Sequence, residues 1–306
     1  MRLFTIDDYV EGRIPAPQNF QQALQEFERG CILPGIQDSN IIGAFPFGSV
    51  AAGQPSVASD IDYFVLTKDG SYDTTIKETV TDIAERLWVP IQPHVLPLTL
   101  AQTRYHSVDQ SFKEHLELQR KRNGHHGKNP LEFLANNGLT MAQALQLCLG
   151  RYTKAFIQTR VGAPLGTHYG SHDTDLCINL SIPSHVIRCA IQHHYGSLAN
   201  VTDNDTKTSV YEHYAQLPFP EPQRTELQED LQKIKEAANL YITTLEARRD
   251  RRDLAVLNTE ELTEDYYLLF DKLTELLNEP LYRFIINNLV LMQKYPPSTL
   301  SRVSNR

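Results

Sequence analysis

The sequence predicts an α+β fold, a small α/β part followed by an all-helical part, and three observations carry that prediction. Short runs rich in β-branched and aromatic residues occur only before about residue 98. From residue 99 onward, apolar residues recur at the spacing of helices. A length of 306 residues, with 41% hydrophobic and 22% charged content, is enough for two ordinary cores. The expected division is residues 1–120 and 121–306. The stretch "KRNGHHGKNP" (121–130), where glycine, proline and charge concentrate, reads as the linker.

Element by element, "PQNFQQALQEFERG" (17–30) places Phe20, Leu24 and Phe27 on one helical face and ends at Gly30, a natural helix stop. "NIIGAFPFGS" (40–49) reads as a strand running into a turn, and "DIDYFVLTK" (60–68) as a second strand. Between residues 72 and 88, Ile76, Val80, Ile83 and Leu87 line one face of a helix. "VPIQPHVLPL" (89–98) is a third strand, and Pro90 and Pro93 assign it to an edge. Helices are then expected over 108–122, 140–160, 184–199, 223–250 and 262–278, with 281–295 helical or buried. No fixed-period repeat is present, which excludes a solenoid.

Composition narrows the function classes. Cys31, Cys148, Cys177 and Cys189 are widely spaced and include no Cys-x-x-Cys, arguing against a disulfide framework or a zinc ribbon. A net charge of -8 disfavours generic adsorption to nucleic acid. No apolar stretch is long enough to cross a bilayer and "MRLFTIDDYVEGR" lacks a signal-peptide core, so the expectation is a cytoplasmic protein without membrane partners.

The stretch "FPFGSVAAGQPSVASDIDYFVL" (45–66) carries chemistry. Strand side chains alternate faces, so Asp60 and Asp62 point the same way while Ile61 points into the core. Two neighbouring carboxylates repel each other unless a cation lies between them, and Mg²⁺ favours oxygen ligands of this kind together with substrate phosphates. Upstream, Gly48 lets backbone approach a phosphate closely, and N–H groups and the Ser49 hydroxyl can donate to its oxygens. The combination describes a metal and triphosphate site. Tyr63, Phe64, Val65 and Leu66 make the strand look buried, which disfavours two merely solvated charges.

This arrangement resembles the nucleotidyltransferase superfamily that includes DNA polymerase β and the aminoglycoside nucleotidyltransferases. Phe47-Gly48-Ser49 is followed by "VAAGQPSVAS" and then Asp60-Ile61-Asp62, matching the family pattern of an apolar residue, Gly-Ser, about ten residues, and Asp-x-Asp at the start of a strand. The resemblance covers roughly residues 19–98. It implies a small catalytic core with a mixed sheet and a variable second domain for acceptor or partner binding. It further implies a transferase that moves a nucleoside monophosphate from an NTP, ATP being the first expectation, to an acceptor hydroxyl with release of pyrophosphate. Asp60 and Asp62 would be the catalytic, metal-binding residues for Mg²⁺ or Mn²⁺, and Gly48 and Ser49 the nucleotide-binding ones. The acceptor would be a small molecule, a protein or an RNA end.

The chain departs from the family pattern in two places. Many members carry a third carboxylate on the next strand, where this sequence offers Gln92 or His94. Small relatives often have an arginine in the loop after Gly-Ser, but "VAAGQPS" supplies no cation. These departures keep two alternatives in view. One is a regulatory or antitoxin-like member that binds a partner. The other is a helical ribonuclease with a decayed core, because Arg188 and His193 in "RCAIQHHY" look like the Arg-x4-His motif of HEPN ribonucleases. On an ideal helix these two side chains lie about 140° apart. His185, Cys189 and His193 share a helix face on which at most two could ligate one ion. "RKRNGHHGK" (120–128) and "EARRDRRD" (246–253) read as solvated charge, and Tyr266, Tyr267 and Phe270 as core.

Overall fold

The computed structural model describes residue 4 and residues 6–103, 108–135, 183–197, 207–251 and 258–294. The helix expected over 140–160 lies outside the described residues, as do Cys148 and Cys177. The chain divides into two compact units, residues 15–140 and residues 1–14 together with 141–306. Helix α1 (Ile6–Val10) belongs to the second.

The unit of residues 15–140 begins with α2 (Pro17–Phe27), whose first position is a proline, where a missing N–H costs nothing. Its Phe20, Ala23, Leu24 and Phe27 are buried. The helix does not stop at Gly30: it passes through a π-helical turn, Glu28–Ile32, into α3 (Leu33–Gln37). Burial of Cys31 and Ile32 overrides the glycine's tendency to end a helix. The other elements of the unit are β1 (Ile41–Phe47), α4 (Gly48–Ala51), β2 (Ile61–Thr67), α5 (Asp73–Leu87), β3 (Ile91–Pro97), α6 (Leu98–Ala101), α7 (Gln110–Asn123) and β4 (His126–Gly127).

The sheet is mixed, in the order β3-β2-β1-β4. β1 pairs antiparallel with β2 and β4, and β2 pairs parallel with β3. The parallel pair requires a crossover, which α5 supplies. β2 is central, and residues of both parities are buried, as expected of a strand covered on both faces. Ile61, Tyr63 and Val65 pack with Phe27, Cys31, Ile76 and Ile83 under α2 and α5. Phe64 and Leu66 pack on the other face with Phe45, Phe47, Leu96 and Leu116, the last from α7. The two proline-bearing stretches resolve differently. β3 is an edge strand as expected, but residues 121–130 are not a linker: they finish α7, and His126 and Gly127 pair with Ala44 and Gly43 as an edge strand.

In the second unit the described helices are α1, α8 (183–195), α9 (Lys207–Ala215), α10 (Gln223–Asp250) and α11 (Thr259–Lys294). α10 and α11 run antiparallel: Arg283 of α11 bonds to Asp230 of α10, and Tyr241 and Tyr266 both bond to the backbone of Phe4. Arg248 donates to the carbonyls of Tyr9 and Val10, filling acceptors that the end of α1 leaves open. α11 is one helix where two segments are expected. It continues through Pro280 because Leu277, Leu281, Phe284 and Ile285 are all buried, outweighing the lost hydrogen bond. Of the three aromatics read as core, Tyr266 is fully buried, whereas Tyr267 and Phe270 are half-buried. Among the described residues no helix is long and apolar enough to cross a membrane.

Candidate active site

All six residues singled out in the first part of the chain, Gly48, Ser49, Asp60, Asp62, Gln92 and His94, lie in the 15–140 unit. The antiparallel register pairs Phe47, the last residue of β1, with Asp62 near the start of β2. The chain therefore turns into α4 directly beside the second carboxylate. At that turn Gly48 has φ +79, and a Cβ placed on it would strike the Asp62 carboxylate. Two constraints thus call for glycine: the left-handed backbone and the close approach of Asp62.

The loop from residue 52 to 60 folds back onto this turn through hydroxyls. Ser49 Oγ donates to Ser59 Oγ at 2.9 Å, and the Ser56 N–H donates to the same oxygen at 2.9 Å. Ser56 Oγ lies 3.2 Å away as a further partner. Ser59 is buried, at 5% exposure, and immediately precedes Asp60. The Ile61 N–H donates to the Pro90 carbonyl at 2.9 Å, fixing where β2 begins against the chain entering β3.

Asp60, immediately before β2, is buried, and Asp62 is half-buried on the face of β2 that also carries Phe64. In the parallel register Asp62 stands opposite Gln92, and Phe64 opposite His94. Of the two residues offered for the third position, Gln92 is therefore the direct neighbour of Asp62 and is exposed. His94 lies one step deeper on the same face. Its ring stacks on Phe64 at 5.4 Å between centroids and meets Phe112 edge-on at 5.7 Å. Phe112 in turn stacks on His115, which contacts Phe47. The site's floor is aromatic.

On the opposite face, Tyr63 donates to Glu28 Oε1 at 3.1 Å, and burial together with that carboxylate raises its phenol pKa, so it stays protonated. The loop after Gly48-Ser49 has no cation of its own. However, Asn123 donates to the Pro46 carbonyl at 3.1 Å, bringing the basic last turn of α7, with Arg120, Lys121 and Arg122, alongside the end of β1.

Sequence reasoning missed Ser56 and Ser59. The available signal was position: Ser59 abuts the first carboxylate, but a serine in a loop is too common to stand out. Gly48 with Asp62, and Ser49 with Ser59, are brought together; His94 is drawn into aromatic packing. In the other unit, Arg188 and His193 both lie on α8, and Cys189 Sγ is 3.8 Å from His185 Nε2. No protein-family model, curated protein or solved structure matches the chain.

Proposed function

We propose that the 15–140 unit is a nucleotidyltransferase core that transfers a nucleoside monophosphate from an NTP, in the first instance ATP, to an acceptor hydroxyl, releasing pyrophosphate. One observation carries the reading. The strand register sets the Asp62 carboxylate directly against the Gly48 turn that leads into Ser49. The motif spacing by itself requires no such meeting.

The donor set suits a hard divalent cation: Asp60 and Asp62 supply carboxylate oxygens, and the neighbouring Gln92 offers a neutral amide oxygen. Asp60 and Asp62 are the residues that would hold Mg²⁺ or Mn²⁺. When bound, such an ion neutralises triphosphate charge and stabilises the oxygens of an in-line displacement. The chain's own contribution is positioning. Gly48 keeps the backbone low enough for a phosphate to approach, and Ser49 presents a hydroxyl beside it. The aromatic layer of Phe47, Phe64, His94 and Phe112 packs under the site. The acceptor, a small molecule, a protein or an RNA end, is assigned to surfaces outside this unit's motif.

The test is incubation with each α-labelled NTP and Mg²⁺ or Mn²⁺ in lysate, alongside Asp60→Asn and Asp62→Asn. The expected result is label transferred by the unaltered protein and reduced at least about 100-fold by either substitution. Transfer that persists in both variants refutes the assignment. Migration of the label as protein, RNA or small molecule identifies the acceptor class.

A further inference from the structure

We infer that Ser59 is a positioning residue that reverses a chain of hydroxyls so that Ser49 can donate to a phosphate. The inference rests on the nucleotidyltransferase reading of the same site and assigns a role to a residue that the reading itself leaves idle.

A serine hydroxyl has a single proton to give and lone pairs to receive with. In the structure the proton of Ser49 is directed at Ser59 Oγ, 2.9 Å away. In that state Ser49 turns only lone pairs outward, which repel an anion. Ser59 also receives the Ser56 N–H at 2.9 Å and has Ser56 Oγ within 3.2 Å as an outlet for its own proton. At 5% exposure Ser59 has almost no water to turn to, so in this state its proton goes to Ser56 Oγ.

Arrival of a triphosphate oxygen changes the direction and not the connectivity. The Ser49 O–H rotates onto the phosphate. The Ser59 O–H rotates from Ser56 to Ser49 Oγ, keeping the bond between them with donor and acceptor exchanged. The Ser56 N–H continues to anchor Ser59. No proton leaves its oxygen and no covalent bond changes. Ser49, now accepting from Ser59, becomes a better donor to the phosphate, since hydrogen bonds in a chain polarise one another. Without Ser59, the Ser49 oxygen would lose this support and its rotamer would be free. Because Ser59 adjoins Asp60, the same residue ties the phosphate turn to the strand that bears the carboxylates.

The test is a double-mutant cycle on the full chain, read by calorimetry with Mg²⁺ and either ATP or inorganic tripolyphosphate as the probe. Ser49→Ala and Ser59→Ala are each expected to weaken binding about tenfold, the scale of a hydrogen bond to a charged group. Ser59→Ala added to Ser49→Ala is expected to weaken it no further, because the effect of Ser59 passes through Ser49. A residue that merely held the loop in shape would weaken both backgrounds alike. Ser56→Ala keeps the N–H that anchors Ser59 and serves as the second variant. Its expected effect is binding about threefold tighter in the unaltered background, because Ser59 then has only Ser49 to donate to, and no change with Ser49→Ala, and this pair decides the matter in the same way if Ser59→Ala does not fold. Binding that is unchanged in Ser59→Ala, or losses that add across the cycle, overturn the role of Ser59 while leaving the nucleotide reading intact. Failure of the unaltered protein to bind any NTP or tripolyphosphate overturns that reading, and this inference falls with it.

Discussion

Replacing Gly48 with alanine measures how tightly the turn and the second carboxylate are built together. Two costs apply. A non-glycine residue at φ +79 carries a backbone penalty of about 1–2 kcal/mol. The new Cβ also collides with the Asp62 carboxylate, which must leave its rotamer at about 0.5–1.5 kcal/mol. The sum is about 1.5–3.5 kcal/mol. Gly53 provides the control, since its φ is +71 and nothing lies within 4 Å of a Cβ placed there. Gly53→Ala should therefore cost only the backbone share, about 1–2 kcal/mol. Asp62→Ala should remove the collision, so that Gly48→Ala in that background costs no more than Gly53→Ala. The assay is urea unfolding followed by fluorescence of Trp88, the chain's single tryptophan, which lies in the 15–140 unit and so reports on the right region. If Gly48→Ala is no more costly than Gly53→Ala, or if Asp62→Ala brings no relief, the geometry argued for this turn is wrong.

Three further outcomes are expected. Gln92→Asp places a third carboxylate opposite Asp62; it should raise Mn²⁺ affinity about tenfold by calorimetry and lower stability in chelator, through added repulsion. Burial pushes the Cys31 thiol up to about 11 from 9.0, so the folded state holds that proton more tightly than the unfolded chain. That contribution is complete below pH 9.0 and lost as pH rises towards 11, by about 2 kcal/mol; Cys31→Ala should lose correspondingly less urea resistance between pH 8 and 10.5. In the helical unit, Asp230 is 1% exposed and receives Arg283 Nη2 at 2.6 Å, so Arg283→Met should cost about 2–4 kcal/mol by circular dichroism, and Asp230→Asn in the same chain should restore much of it.

How far the sequence could be read depended on whether local signals agreed with tertiary demands. β1, β2, α5 and α7 were legible because their apolar spacing and their burial coincide, as with Ile76 and Ile83 on α5. Gly30 and Pro280 misled for a shared reason. Each is a local breaker inside a segment whose neighbours are buried, Cys31 and Ile32 in one case and Leu277 and Leu281 in the other. The 121–130 stretch misled because two residues, His126 and Gly127, suffice to close a sheet edge, too few to show a strand pattern. Within the site, alternation alone places Asp62 and Phe64 on one face. Alternation could not decide between Gln92 and His94, which share a face; only the register of β2 against β3 distinguishes them. The serine hub was invisible for a different reason, since it exists only once the loop has folded back on Ser49.

The identity of the third residue bears on the chemistry the proposed enzyme would perform. A carboxylate opposite Asp62 would serve twice, as a ligand and as an acceptor for the proton of the attacking hydroxyl. Gln92 keeps an oxygen in that place but takes no proton at physiological pH. The His94 ring is committed to a stack on Phe64 and an edge contact with Phe112, one step removed from Asp62. On the proposed reading, proton removal therefore falls to Asp60 or Asp62 or to a group on the acceptor itself. An acceptor that brings its own base, such as an amine-bearing sugar or a phosphorylated end, would suit this site better than an isolated alcohol. Comparing transfer to a plain alcohol and to an amino alcohol, in the unaltered protein and in Gln92→Asp, separates these possibilities. The substitution should narrow the gap between the two acceptors if the missing carboxylate is a missing base, and should raise both equally if it is only a missing ligand.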